Sequence, residues 1–162
     1  MADIQTVNID KDPETQIIIG HAGFIKTVED LYEAMMESSP GVKFGLAFVE
    51  ASGACLIRSE GNDPKLKELA QSNAIRVGAG HTFVVLFKNA YPINVNNAIK
   101  DVSEVVRIYC STANPVQVLV TETDQGRAIL GIVDGYKPRG IEQEGDKEKR
   151  KKLLRDLGYK VQ

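Results

Sequence analysis

Histidine is scarce in this 162-residue chain, which holds only two. One of them, His81, follows the turn Gly78-Ala79-Gly80 and opens the apolar run "TFVVLF". Glycine reaches positive φ without steric penalty, so such a turn is able to aim several backbone N–H groups at one anion. An imidazole at its rim suits acid–base work, or it can carry a phosphoryl group as a nucleophile. The competing reading is architectural: the glycines turn the chain and His81 satisfies a backbone carbonyl. His21, in "GHAGF", has a similar glycine setting but no polar cluster beside it. Neither a P-loop (GxxxxGK followed by Ser or Thr) nor a kinase glycine loop with its partner motifs is present.

The other polar residues gather at the ends of apolar runs, where loops present binding groups on a rigid sheet. Glu50 and Ser52 follow "KFGLAFV", Lys88 and Asn89 leave "TFVVLF", Asn114 follows "YCSTA", and Glu122 and Arg127 flank a tight link. One carboxylate, Glu50 or Glu122, is able to accept the two hydroxyls of a ribose, as an acidic residue does in dinucleotide sites. The other could be a base. Asn89, Asn94, Asn97 and Asn114 carry amides that read a base edge, although asparagine is equally a turn and cap residue. Lys88 and Arg127 are the cations best placed for phosphate, and each is otherwise an ordinary surface charge. Cys55 and Cys110 lie in no CxxC or Cys/His pattern, so no metal site or disulfide framework is expected.

The elements that must hold these residues follow from periodicity. "IQTVNI" and "QIIIG" read as strands, and "KTVEDLYEAMMESSPG" as a helix with Thr27 at its N-cap. "VKFGLAFVEASG" is a strand feeding a turn. "DPKLKELAQSNAIRVG" is a helix with Asp63 at the N-cap and Pro64 in its first turn. "HTFVVLFKN", a short helix after Tyr91-Pro92, three strands from "EVVRIYCSTA" to "RAILGIVDG", and a charged helix at about 146–158 complete the chain. Several strands are apolar on both faces, so helices are expected on both sides. The reading is a single domain, 1–162, forming a three-layer α/β/α sandwich around a mixed β-sheet.

Composition narrows the classes. The net charge is −2, which gives no global basic field for nucleic acid or anionic membrane. No apolar run is long enough to span a bilayer. The N-terminus does not read as a signal peptide, and with the cysteine pattern this favours a cytoplasmic protein.

Four stretches, "GAGHTFVV", "NAYPINVNNAIK", "STANPVQV" and "ETDQGRAILGIVDG", closely resemble the adenosine-specific kinase family. The likeness extends from "ETQIIIGHAGFIKTVEDLYE" to "GIVDG", and the charged tail carries little of it. The resemblance implies an α/β/α fold, assembly as a homotrimer, and binding of adenosine or AMP. It also implies a phosphorylated histidine, for which His81 is the best match and His21 the alternative. On this reading His81 is catalytic, and Glu50, Ser52, Gly78, Gly80, Lys88, Asn89, Asn114, Glu122 and Arg127 bind ligand. A phosphotransferase would use Mg2+, with no resident metal site expected. The alternative is a non-catalytic adenosine or AMP sensor or carrier.

Overall fold

The computed structural model describes residues 3–161. Their order is β1 (Ile4–Asn8), β2 (Gln16–Ala22), α1 (Thr27–Ser38), β3 (Lys43–Val49), β4 (Ile57–Gly61), α2 (Pro64–Val77), β5 (Thr82–Lys88), α3 (Pro92–Lys100), β6 (Val105–Thr112), β7 (Val116–Glu122), β8 (Arg127–Asp134) and α4 (Glu144–Asp156). β4, "IRSEG", is a strand that periodicity passes over, because one apolar residue in five gives no alternation to read.

The strands form a five-stranded sheet, β4-β3-β5-β2-β6, and a three-stranded sheet, β1-β7-β8. Every pairing is antiparallel, which corrects the expected mixed sheet. The physical reason lies in the crossovers. Each of α1, α2 and α3 does link two parallel strands, as a helical crossover must. In each case an antiparallel strand occupies the gap: β5 between β2 and β3, β3 between β4 and β5, β2 between β5 and β6.

The alternation of the central strands explains why they read as apolar on both sides. Ile18, Phe44, Leu46, Phe48, Phe83, Val85 and Phe87 face α1 and α3, closing on Leu31, Met35, Val95 and Ile99. Ile17, Ile19, Ala47, Val49, Val84 and Leu86 face the other way, onto Leu66, Ala70, Ala74 and Val77 of α2. That second core also takes Val116, Val118 and Val120 of β7, so α2 shares its layer with the small sheet. The expected all-helical outer layer is thus half β. Each fully buried Val, Leu, Ile or Phe contributes about 1.5–3 kcal/mol relative to exposure. α2 approaches β3 so closely that a Cβ on Gly45 would clash with the Lys67 amide nitrogen.

Helix ends follow their chemistry with small shifts. Asp63 caps α2 by accepting from the Leu66 N–H at 3.0 Å, with Pro64 first in the helix, and Gly78 ends it in the left-handed region. Thr27 is the first residue of α1 rather than its cap, because its hydroxyl donates to the Phe24 carbonyl at 2.6 Å. α4 begins two residues before the expected 146, and none of its residues is buried.

Candidate functional site

Three loops meet at the mouth of β5. α2 ends at Gly78 (φ 63), whose N–H donates to the Ala74 carbonyl at 2.8 Å. Gly80 serves close approach rather than positive φ: a Cβ there would meet the Ala51 Cβ at 2.8 Å. His81 itself adopts the left-handed conformation, with φ 62. Its N–H donates to the Val49 carbonyl at 2.8 Å and its carbonyl accepts from Ala22 at 3.0 Å, while the Thr82 N–H donates to Ala79 at 3.2 Å. Of the four N–H groups in the expected nest Gly78-Ala79-Gly80-His81, those of Gly78 and His81 are therefore already spent. The N–H groups of Gly78, His81 and Thr82 all donate to carbonyls, and the turn instead ties β2, β3 and β5 together at their ends.

Those bonds fix the imidazole. Its ring stacks on Phe48 at 5.7 Å and 26°, and meets His21 edge-to-face at 5.8 Å. On a further side lies Gly23, where a Cβ would stand 2.9 Å from Nδ1. His81 Nε2 is 3.9 Å from Glu50 Oε1, within Coulombic range but too far for a hydrogen bond. Burial, then the neighbouring His81 and Arg107, lower the pKa of His21, which keeps that ring neutral behind the first.

Glu50 is a carboxylate with both oxygens engaged. Oε1 accepts from the Ser52 hydroxyl at 2.9 Å, the Ala51 N–H at 2.9 Å and the Ser52 N–H at 3.1 Å, and Oε2 lies 3.0 Å from Arg58 Nη1. The Ser52 hydroxyl first, then the two backbone N–H groups and Arg58, hold its pKa below the ordinary carboxylate value against the opposing effect of burial. With those donors satisfied, Glu50 has little capacity left for ribose hydroxyls. It is better placed to anchor Ser52 and aim Arg58. The guanidinium spends one contact on Glu50 and a long one, 3.4 Å, on the Ile25 carbonyl, leaving donors for an anion.

His81, Glu50, Ser52 and Arg58 form the polar wall of a cleft of about 410 Å³ whose other wall is Gly23, Phe24 and Ile25. Phe24 and Ile25 are exposed apolar residues, an unusual lip for a polar cleft. Arg58 and this lip escaped sequence reasoning. Arg58 lies on β4, which carries no periodic signal, and Gly23 stands out in the sequence only as a neighbour of His21.

The remaining candidates are elsewhere. Arg127 Nη1 donates to the carbonyls of Arg76 at 3.0 Å and Val77 at 3.3 Å, and its Nη2 pairs with Glu122 at 3.1 Å. Together with Gly78 the Arg127 side chain closes the C-terminal end of α2, so the cation is already committed to main-chain carbonyls. Lys88 and Asn89 stand at the far end of β5, whose seven residues at about 3.3 Å each put them roughly 20 Å from His81. Lys88 pairs with Asp12 at 2.7 Å, and Asn89 (φ 64) donates to the Gly41 carbonyl at 3.3 Å. Asn114 braces the turn after β6, its N–H donating to Thr112 Oγ1 and its amide to Asp134. Among the described residues no group of three or more His, Cys, Asp or Glu converges as a metal site, and no helix is long and apolar enough to cross a membrane.

The family model described as adenosine-specific kinase matches residues 7–160. No curated protein matches the chain. The solved structure of the PH1918 protein from Pyrococcus horikoshii OT3 is similar over 100% of both chains, with 47% identity and a TM-score of 0.95. With a family model spanning nearly all of its length, the chain belongs to the adenosine-specific kinase family.

Proposed function

We propose that this protein binds adenosine or AMP and transfers a phosphoryl group through His81 in the cleft it shares with Arg58. The carrying observation is the ring's immobilisation: Phe48, His21 and Gly23 surround it, while its edge opens beside a guanidinium that still has donors for phosphate oxygens. A ring nitrogen attacks the phosphorus of the donor, and the leaving oxygen departs with the P–O electron pair. An adenosine hydroxyl then attacks, the P–N bond breaks with its electron pair returning to the ring nitrogen, and that freed nitrogen takes the hydroxyl proton. Arg58 offsets the charge on the three phosphoryl oxygens in both steps. The apolar lip of Phe24 and Ile25 offers the nucleoside a face to pack on. Glu50 is the one carboxylate lining the cleft and both its oxygens are engaged, so the donor set does not suit a resident Mg2+.

The spent N–H groups of the glycine turn favour the second reading, a receptor that holds adenosine or AMP without turnover. Intact mass before and after acid treatment separates the two, because phosphohistidine is acid-labile. The expected result is a phosphate-sized increment lost in acid and absent from His81→Asn, with adenosine affinity changed less than about tenfold, or 1.4 kcal/mol. A wild-type chain that never carries phosphate with any donor overturns the transfer reading and leaves the receptor.

A further inference from the structure

We infer that the cleft at the far end of β5, remote from His81, is a second nucleoside site selective for a 6-aminopurine. This rests on the adenosine reading above and adds a site to it. The cleft has a volume of about 450 Å³, within the range of small-ligand pockets, and is lined by Glu14, Gln16, Asn89, Tyr91, Asn94 and Tyr159. These groups are the ones the His81 cleft lacks. There the only carboxylate has its oxygens engaged, and no carboxamide lines the walls.

Gln16 carries the argument. It opens β2 and pairs with Phe87, so a seven-residue, doubly paired strand sets its position. Its Oε1 is buried with no hydrogen-bond partner among the described residues. An unpaired amide oxygen is costly to bury, and a turn of the Gln16 carboxamide toward the cleft it lines would let a ligand N–H relieve that cost. A carboxamide pairs in two-point fashion with adenine, its oxygen accepting from the 6-amino group and its nitrogen donating to a ring nitrogen. Hypoxanthine, with a 6-oxo group, reverses the first contact.

The rest of the cleft suits the same ligand. Tyr91 and Tyr159 stand edge-to-face at 6.4 Å and are about half exposed, offering two π-faces to a planar base. Asn94 holds both, accepting from the Tyr91 N–H at 2.8 Å and donating to the Tyr159 hydroxyl at 3.4 Å. Glu14 is an exposed carboxylate with the chemistry for ribose hydroxyls. Because Tyr159 follows α4, which buries none of its own residues, a nucleoside here would also pin the C-terminal helix.

The test is calorimetric titration of the full chain with adenosine and inosine, beside hydrogen exchange across residues 144–160. Wild type should take up two adenosines per chain and protect that segment. Gln16→Met, close in shape but without the amide, should lose one adenosine and the protection while keeping acid-labile phosphate on His81. His81→Asn should keep both protection and the Gln16-dependent event, and inosine should bind there at least tenfold more weakly. Tyr159→Ala should weaken the same event, which guards against a Gln16 effect on folding alone. A stoichiometry of one that neither Gln16→Met nor Tyr159→Ala alters overturns the second site and leaves the His81 reading standing. No adenosine uptake together with no acid-labile phosphate overturns both.

Discussion

Arg127 separates two accounts of a cation near the glycine turn, and Arg127→Met distinguishes them. The side chain is one-quarter exposed and makes three contacts: two with carbonyls at the C-terminal end of α2 and one with the half-exposed Glu122. A hydrogen bond to a charged group contributes about 1.5–3 kcal/mol net, while an exposed ion pair contributes about 0–1. Water can replace part of the lost capping, and methionine keeps most of the apolar stem, so the expected loss is about 2 kcal/mol. For a chain of this size that lowers Tm by roughly 4–8 °C. Thermal and urea denaturation followed by circular dichroism supply the stability change, and adenosine and AMP titrations supply the ligand side. The expected outcome is a clear stability loss with an unchanged ratio of AMP to adenosine affinity. Unchanged stability with AMP affinity reduced tenfold would refute the capping role and restore Arg127 as a phosphate ligand.

Two further outcomes are expected. The Lys88 ammonium first, then Thr15 and the Glu14 N–H, hold Asp12 down at about 2. A depressed carboxylate stabilises the fold above its unfolded pKa near 3.8, and the contribution disappears as pH falls through about 2. Acid titration of stability should therefore be shallower between about pH 4 and 2 in Asp12→Asn, and an unchanged slope would contradict the pairing. Burial pushes the Cys110 thiol up to about 12, whereas Cys55 is exposed. A thiol reagent at pH 8 should label one cysteine per native chain and two after denaturation, and two in the native state would show that the β6 core opens.

Local chemistry was legible wherever neighbours in sequence decided the outcome. Asp63-Pro64 and Gly78 mark both ends of α2 because capping needs only residues within one turn. His81, Glu50 and Ser52 were readable as a group at strand ends, and they do share a cleft. What escaped depended on partners far along the chain. The N–H of His81 is taken by Val49, thirty-two residues earlier, and that bond commits one donor of the expected nest to a strand tie. Arg127 and Lys88 looked free only because their acceptors, the α2 carbonyls and Asp12, lie 50 or more residues away. The sheet misled for a related reason: a helix between two strands signals that they run parallel, not that they are adjacent.

That no residue of α4 is fully buried bears on how tightly the far cleft can bind. Among the described residues, all the buried ones lie between Thr15 and Val120, so both cores are complete without α4. A thirteen-residue helix is marginal alone in water, and its hold on the body here includes Tyr159 with Tyr91 and Asn94, beside Leu154 and Leu157, which line a cleft with Ile93. One wall of the cleft is therefore anchored in the sheet, and the other is present only while the helix is docked. The apparent dissociation constant equals the intrinsic one divided by the docked fraction. Anything that holds the helix down, without touching the nucleoside, sharpens the site in direct proportion.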